Sequence, residues 1–154
     1  MIAAKNIFRI HIKPMGGKGD SEFSFKYCLK NELLGVGWGI DACQNEMIDW
    51  ESYVKKAQNK IDSDNFRNIN QVRYIKQYIL KDELVWTRDR SGQYYLAKVI
   101  DGWEYLENQE AKDADILNIF RVKMIKISGK EDLPGKLLLA LEHGCQYKEF
   151  IRKI

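Results

Sequence analysis

Residues 84–99 constrain the fold most. Leu84-Val85-Trp86-Thr87-Arg88 is a short run of residues that favour a pleated, half-buried surface. Asp89-Arg90-Ser91-Gly92 follows, and Gln93 to Val99 returns as a second such run. Gly92 can supply the positive φ that a tight hairpin connection needs. Two antiparallel strands are therefore expected here. A lone hairpin is only marginally stable in water, so other elements must cover it.

The rest of the chain offers those elements. Residues 7–13 alternate apolar and polar, which predicts a half-buried strand ended by Pro14. Gly16-Gly17-Lys18-Gly19 predicts a mobile basic loop. Asp20 or Ser21 stands ready to cap a short helix carrying Phe23, Tyr27 and Leu29. Leu33 to Trp38 predicts a strand. A helix is expected to begin around Asp49, with Tyr53, Val54, Ala57 and Ile61 on one face. Another is expected from Ser63 or Asp64, with Phe66, Ile69, Val72, Ile75 and Ile79 inward. Asp115 to Ile127 predicts a strand, and Lys136 to Leu141 and Tyr147 to Ile151 are expected to close the sheet. Helices cluster in the first half and strands in the second. That is an α+β pattern, expected as a curved sheet or partly closed β-barrel flanked by helices. No linker or repeat divides residues 1–154, so one domain is expected.

Composition narrows the function classes. At 45% hydrophobic and 31% charged, the chain reads as globular and soluble. No apolar run approaches the roughly 20 residues of a membrane span. The opening Met-Ile-Ala-Ala-Lys-Asn-Ile-Phe-Arg has no apolar signal-peptide core, so a cytoplasmic location is expected. Cys28, Cys43 and Cys145 are odd in number and lack paired metal-ligand spacing. A disulfide framework or zinc site is not expected. A net charge of +3 leans mildly toward anionic partners.

Catalysis needs a positioned nucleophile, base or metal. His11 shares its strand's solvent face with Arg9 and Lys13. His143 and Cys145 share a turn, a poor guide to catalytic geometry. The Gly16–Gly19 loop lacks the Ser or Thr and the length of a phosphate-binding loop. No catalytic residue, metal or cofactor is therefore expected, and the weight moves to binding. Trp38 stands between Gly37 and Gly39, and Trp103 follows Gly102. Indole rings beside glycines suit the walls of a slot for a flat or cationic ligand. A core role is the plainer alternative, because Trp is highly buried on average. Trp50 and Trp86 are expected to be mainly structural, Trp86 in an apolar strand and Trp50 at the start of a helix, packing below the site. Several aromatics lie near cations, as in Trp86-Thr87-Arg88 and in Tyr94-Tyr95 before Lys98. Cations place a phosphate backbone while aromatic faces take bases.

Three segments carry a family resemblance. Phe8-Arg9-Ile10-His11-Ile12-Lys13-Pro14, Leu34-Gly35-Val36-Gly37-Trp38, and the hairpin from Val85 to Val99 leading on to Trp103 resemble the PUA-like superfamily, in its EVE and YTH branch. Asp115 to Val122 resembles the strand that follows. The resemblance implies a mixed barrel flanked by helices that reads a modified base, in DNA or RNA, inside an aromatic cage. It implies Trp38 and Trp103 as cage walls, and Tyr94 is expected beside them. Lys13, Arg88, Arg90 and Lys98 are expected on the nucleic-acid backbone. Asn118 and Asp101 are expected at the base edge. It also implies a modification-dependent restriction system, with a nuclease or ATPase as partner. Pro14 departs from the Ser of YTH domains, and residues 41–80 do not align with the family. The alternatives are an enzyme of the ASCH type acting on RNA or a modified nucleoside, and a protein-interaction module.

Overall fold

The computed structural model describes residues 7–42, 46–127 and 147–149. Its strands are β1 (Ile7–Arg9), β2 (Leu33–Val36), β3 (Leu84–Arg88), β4 (Tyr94–Tyr105), β5 (Asn118–Ile127) and β6 (Tyr147–Glu149). Its helices are α1 (Ser21–Asn31), α2 (Trp50–Asp62), α3 (Asn70–Tyr78) and α4 (Gln109–Ala114), with a 3-10 turn at Pro14–Gly17. The strands form one mixed sheet in the order β2-β5-β4-β3-β1-β6. β1 runs parallel to β3 and to β6, and the other pairings are antiparallel.

The fold is α+β, as expected, but the sheet is open. Among the described residues no ladder joins its edge strands, β2 and β6. This corrects the partly closed barrel. β2 is four residues long and β6 three, too short to wrap round and share a ladder.

Local chemistry set several elements. The hairpin turns where expected, with Gly92 at φ 95° and its N–H donating to the Asp89 carbonyl. Asp20 caps α1 by accepting from the Phe23 N–H, and Asp49 caps α2 by accepting from the Ser52 N–H. Other boundaries moved. α3 starts at Asn70 rather than at Ser63 or Asp64, because those residues form the exit from α2. The Ser63 N–H bonds back to the Asn59 carbonyl, and Asp64 sits at φ 64°. β2 stops at Val36 because Trp38 turns into the left-handed region at φ 57°. β5 starts at Asn118 because Asp115 closes α4 at φ 55°. β1 pairs only to Arg9, although burial keeps alternating to Lys13. The 3-10 turn occupies the start of the expected Gly16–Gly19 loop. Phe23 is 43% exposed, and α1 buries Ser24, Phe25, Tyr27 and Cys28 instead. The expected strand at 136–141, Cys43, His143, Cys145 and residues 150–151 lie outside the described residues.

One face of the sheet carries the main core. Phe8, Val85, Ala97, Val99 and Val122 are buried there beneath the helices. Phe25 of α1 meets Tyr95, and Tyr74 of α3 meets Phe8, at centroid distances of 5.2 Å and 6.2 Å. Ser24 donates to the Ala114 carbonyl at 2.6 Å, tying α1 to α4. The opposite face holds a small cluster of Ile7, Leu96 and Ile127, with Leu84, Trp86 and Tyr94 against it. Two irregularities shape β4. Val99 pairs with Val122, Asp101 with Arg121 and Glu104 with Ile119, so β4 gains one residue on β5 at each step. Bulges re-aim side chains and strengthen twist, and the second of these two contains Trp103. Among the described residues no helix is long and apolar enough to cross a membrane.

Candidate functional site

Asn118 is the first residue of β5 and is fully buried. Its backbone pairs with Val36 at the end of β2, so its amide lies beneath the Gly37–Trp38 segment. The pairing is close. A Cβ on Gly35 would strike the Asn118 carbonyl oxygen, which is why that strand position tolerates only glycine. The Asn118 Nδ2 donates to the Gly37 carbonyl at 2.5 Å and, at 3.3 Å, to that of Trp38. It also donates to the Tyr53 hydroxyl at 3.1 Å. The Tyr53 hydroxyl donates in turn to the Trp38 carbonyl at 2.8 Å. The Asn118 Oδ1 accepts from the Trp103 Nε1–H at 3.0 Å. One buried amide thus holds three separate segments: the loop after β2, helix α2 and the bulged part of β4.

Aromatic rings gather around that amide. Trp50 meets Trp103 edge-on, with centroids 4.9 Å apart and planes at 82°. Trp50 also stacks on Tyr53 at 5.9 Å, and Tyr53 lies 5.7 Å from Trp103. Tyr105 lies 5.3 Å from Tyr53, accepts from the Ile40 N–H at 2.9 Å and donates to the Glu107 carboxylate at 2.5 Å. Burial pushes the Tyr53 and Tyr105 hydroxyls above their ordinary range, and the Glu107 bond adds to the effect at Tyr105. Both remain protonated donors at neutral pH. The Lys76 ammonium of α3 sits over the Trp103 ring, 5.9 Å from its centroid. Lys76 is exposed and Trp103 is half-buried. The indole therefore has its N–H fixed by Asn118 and a face that solvent and cations reach. Such a face suits a flat or cationic group.

The expected site residues divide into two places. Asn118 bonds the Trp103 indole N–H and the backbone carbonyl of Trp38, and both tryptophans are half-buried against the core. Tyr94 does not join them. It starts β4, nine residues before Trp103, which is about 25 Å along a strand with two bulges. There it stacks on Trp86 at 4.9 Å on the opposite sheet face. Arg88 belongs with Tyr94, its guanidinium 5.8 Å from that ring. Arg90 is exposed in the adjoining turn. These two cations are not at the mouth of the Trp103 cluster, because the hairpin carries them to the far end of the sheet. Lys98 is exposed midway along β4 and pairs with Asp82 at 3.7 Å. Lys13 is half-buried just before the 3-10 turn. Asp101 is exposed in the bulged part of β4, opposite Arg121. Asn118 has both amide donors and its carbonyl oxygen engaged, so it positions the walls and has no hydrogen for a base edge.

Sequence reasoning missed three members of the cluster. Tyr53 appears there only as part of a helix stripe, whereas Trp50 is expected as a structural ring below the site. Tyr105 has no marker beyond being aromatic near Trp103. Lys76 carries no signal, because its ring partner is on another element. Among the described residues no group of three His, Cys, Asp or Glu side chains could hold a metal ion. Comparison with protein-family models, curated proteins and solved structures finds no match to the chain.

Proposed function

We propose that this protein binds nucleic acid and reads a modified base, methylated or otherwise, at the Trp38–Trp103 cluster. The framework in this reading is a PUA-like domain of the EVE and YTH branch, serving a modification-dependent restriction or defence system. The observation that carries the reading is the Asn118 bridge. It fixes the Trp103 indole and the backbone segment that carries Trp38, two tryptophans whose surroundings mark them separately as ligand walls. A buried, fully bonded amide holds its partners rigidly, and a stacking wall must be rigid to discriminate.

In this reading the base reaches the Trp103 face by displacing the exposed Lys76 side chain, which is then free to pair with a phosphate. A methyl group gains dispersion contact with the rings. An apolar slot distinguishes one methyl by about 1–3 kcal/mol. The base must leave its stack to enter, which costs least in a single strand.

The test is titration with modified and unmodified oligonucleotides, as DNA and as RNA. Preferential binding of one modified strand is expected, and Trp103→Ala should weaken it by about 1–3 kcal/mol. Equal affinity for modified and unmodified strands would sink the reading. Mass spectrometry of the recovered oligonucleotide should find it unchanged. A cleaved or demodified product would favour the ASCH-type enzyme instead.

A further inference from the structure

The segment from Trp50 to Lys81 holds seven Lys and Arg against three Asp and Glu, so it is more positive than the whole chain at +3. It forms α2, α3 and the turn between them. A groove of about 510 Å³ opens beside α2 and reaches Arg73 of α3. Trp50 and Val54 give it apolar wall, and Gln58 and Asn59 give it amides. Lys55 and Arg73 supply two cations against one acid, Glu51. Lys55 and Arg73 are both exposed. Trp50 belongs equally to this groove and to the Trp103 cluster, and Lys76 lies one helical turn past Arg73 over Trp103. The groove therefore runs from Lys55 and Arg73 to Trp50, and Trp50 touches the indole that would receive the base.

We infer that the α2–α3 groove carries the phosphate backbone of a single nucleic-acid strand that continues from the base held at Trp103. This inference rests on the nucleic-acid reading and assigns the backbone to Lys55, Arg73 and Lys76, not to the hairpin cations. A single strand is favoured because cations here alternate with a half-buried aromatic wall and amides, the mixture that follows a flexible backbone while offering its bases a surface. Lys55 and Arg73 neutralise two phosphates, and Lys76 pairs with the phosphate nearest the base once it leaves Trp103.

The experiment compares the double reversal Lys55→Glu/Arg73→Glu with Lys123→Glu/Lys126→Glu, an equal charge change at exposed lysines of β5. All four side chains are exposed, so thermal unfolding should be unaltered in both variants. The probe is a fluorescent single-stranded oligonucleotide, with and without the modified base, titrated across a salt series. The groove reversal should raise Kd at least tenfold for both probes and leave their ratio intact. It should also reduce the salt slope by about 1.4, for two contacts at about 0.7 each. The β5 reversal should do neither. A groove reversal that changes nothing, while Trp103→Ala still removes the preference, overturns the groove and spares the base reading. An unmodified probe that binds by the groove, with no preference for modification, upholds the groove and sinks the base reading. Loss shared equally by both reversals, or a wild-type protein that binds neither probe, overturns the groove.

Discussion

The two ends of β4 carry similar chemistry in different settings. At its start, Tyr94 stacks on Trp86, with Arg9 over Trp86 at 5.2 Å and Arg88 over Tyr94 at 5.8 Å. Near its end, Trp103 meets Trp50 and Tyr53, with Lys76 over its ring. Both are aromatic clusters with cations on top. The first is built by neighbouring strands, β1, the β3–β4 hairpin and the end of β5, and sheet register places its rings. Trp86 and Tyr94 are diagonal neighbours across that ladder. The second draws on a loop, two helices and two bulges, and a buried amide ties three of them together. Side-chain type therefore does not mark the site. What marks it is a buried polar bracket at the Trp103 end that holds rings and backbone from distant segments.

Removing that bracket should produce the largest effect. Asn118→Ala leaves the Trp103 Nε1–H and the Gly37 carbonyl without this partner inside the protein. Each orphaned buried group costs roughly 1–3 kcal/mol, so the variant should lose about 3 kcal/mol in urea unfolding. No single side chain at the Trp86 end should approach that value. Trp86 is half-buried on a small satellite cluster, and Trp86→Ala should cost about 2 kcal/mol by the same measurement. A smaller loss for Asn118→Ala than for Trp86→Ala would break the distinction between the two ends.

What was legible in the sequence depended on how local its cause was. The hairpin at Asp89–Gly92 and the starts of α1 and α2 rest on contacts within four residues, and each fell where expected. Asp20 and Asp49 could be seen as caps because the bonded N–H lies three residues on. Ser63 and Asp64 look the same in sequence, yet the chain uses them to leave a helix. Nothing nearby distinguishes a start from an exit. The bulges of β4 were invisible because a register shift is a property of a pair, and β5 supplies the other half. Tyr94 was grouped with Trp103 because both lie on one strand, but residues nine apart on a strand are far apart in space. The role of Asn118 could not be read either, since its partners are 15 to 81 residues away.

A smaller effect should sharpen the comparison. The Trp86–Tyr94 stack is a ring pair on the sheet surface, and such pairs contribute about 0.5–1.5 kcal/mol beyond area burial. A double-mutant cycle with Trp86→Leu and Tyr94→Leu should return a coupling of about 1 kcal/mol. Oligonucleotide affinity should stay unchanged in both single variants, because this end lies about 25 Å along the strand from Trp103. A loss of affinity in either variant would move the binding surface to the hairpin and restore Arg88 and Arg90 as backbone contacts.

The smallest effect concerns two aspartates, one near each cluster. Asp49 caps the helix that begins with Trp50, and bonds from the Ser52 backbone and side chain hold its carboxyl below the ordinary range. Asp89 anchors the hairpin. Partial burial pushes its carboxyl up, but bonds from Ser91, Gln93 and Gly92 outweigh this and hold it low. A carboxyl lowered in the folded state binds its proton more readily in the unfolded chain. Its contribution is therefore fully present above the unfolded value, about 3.9, and is lost as pH falls through the folded value. Stability should be level with respect to both groups from pH 7 down to about 5, then decline below about pH 4. Asn can still accept the N-cap bond but does not titrate. Asp49→Asn should therefore flatten the acid limb of the unfolding curve while keeping α2 intact at neutral pH. Asp89→Asn should do the same for the hairpin. Intrinsic tryptophan fluorescence, followed through urea unfolding at a series of acid pH values, should report both limbs. An acid limb unchanged by both Asn variants would assign the low-pH loss to other carboxylates.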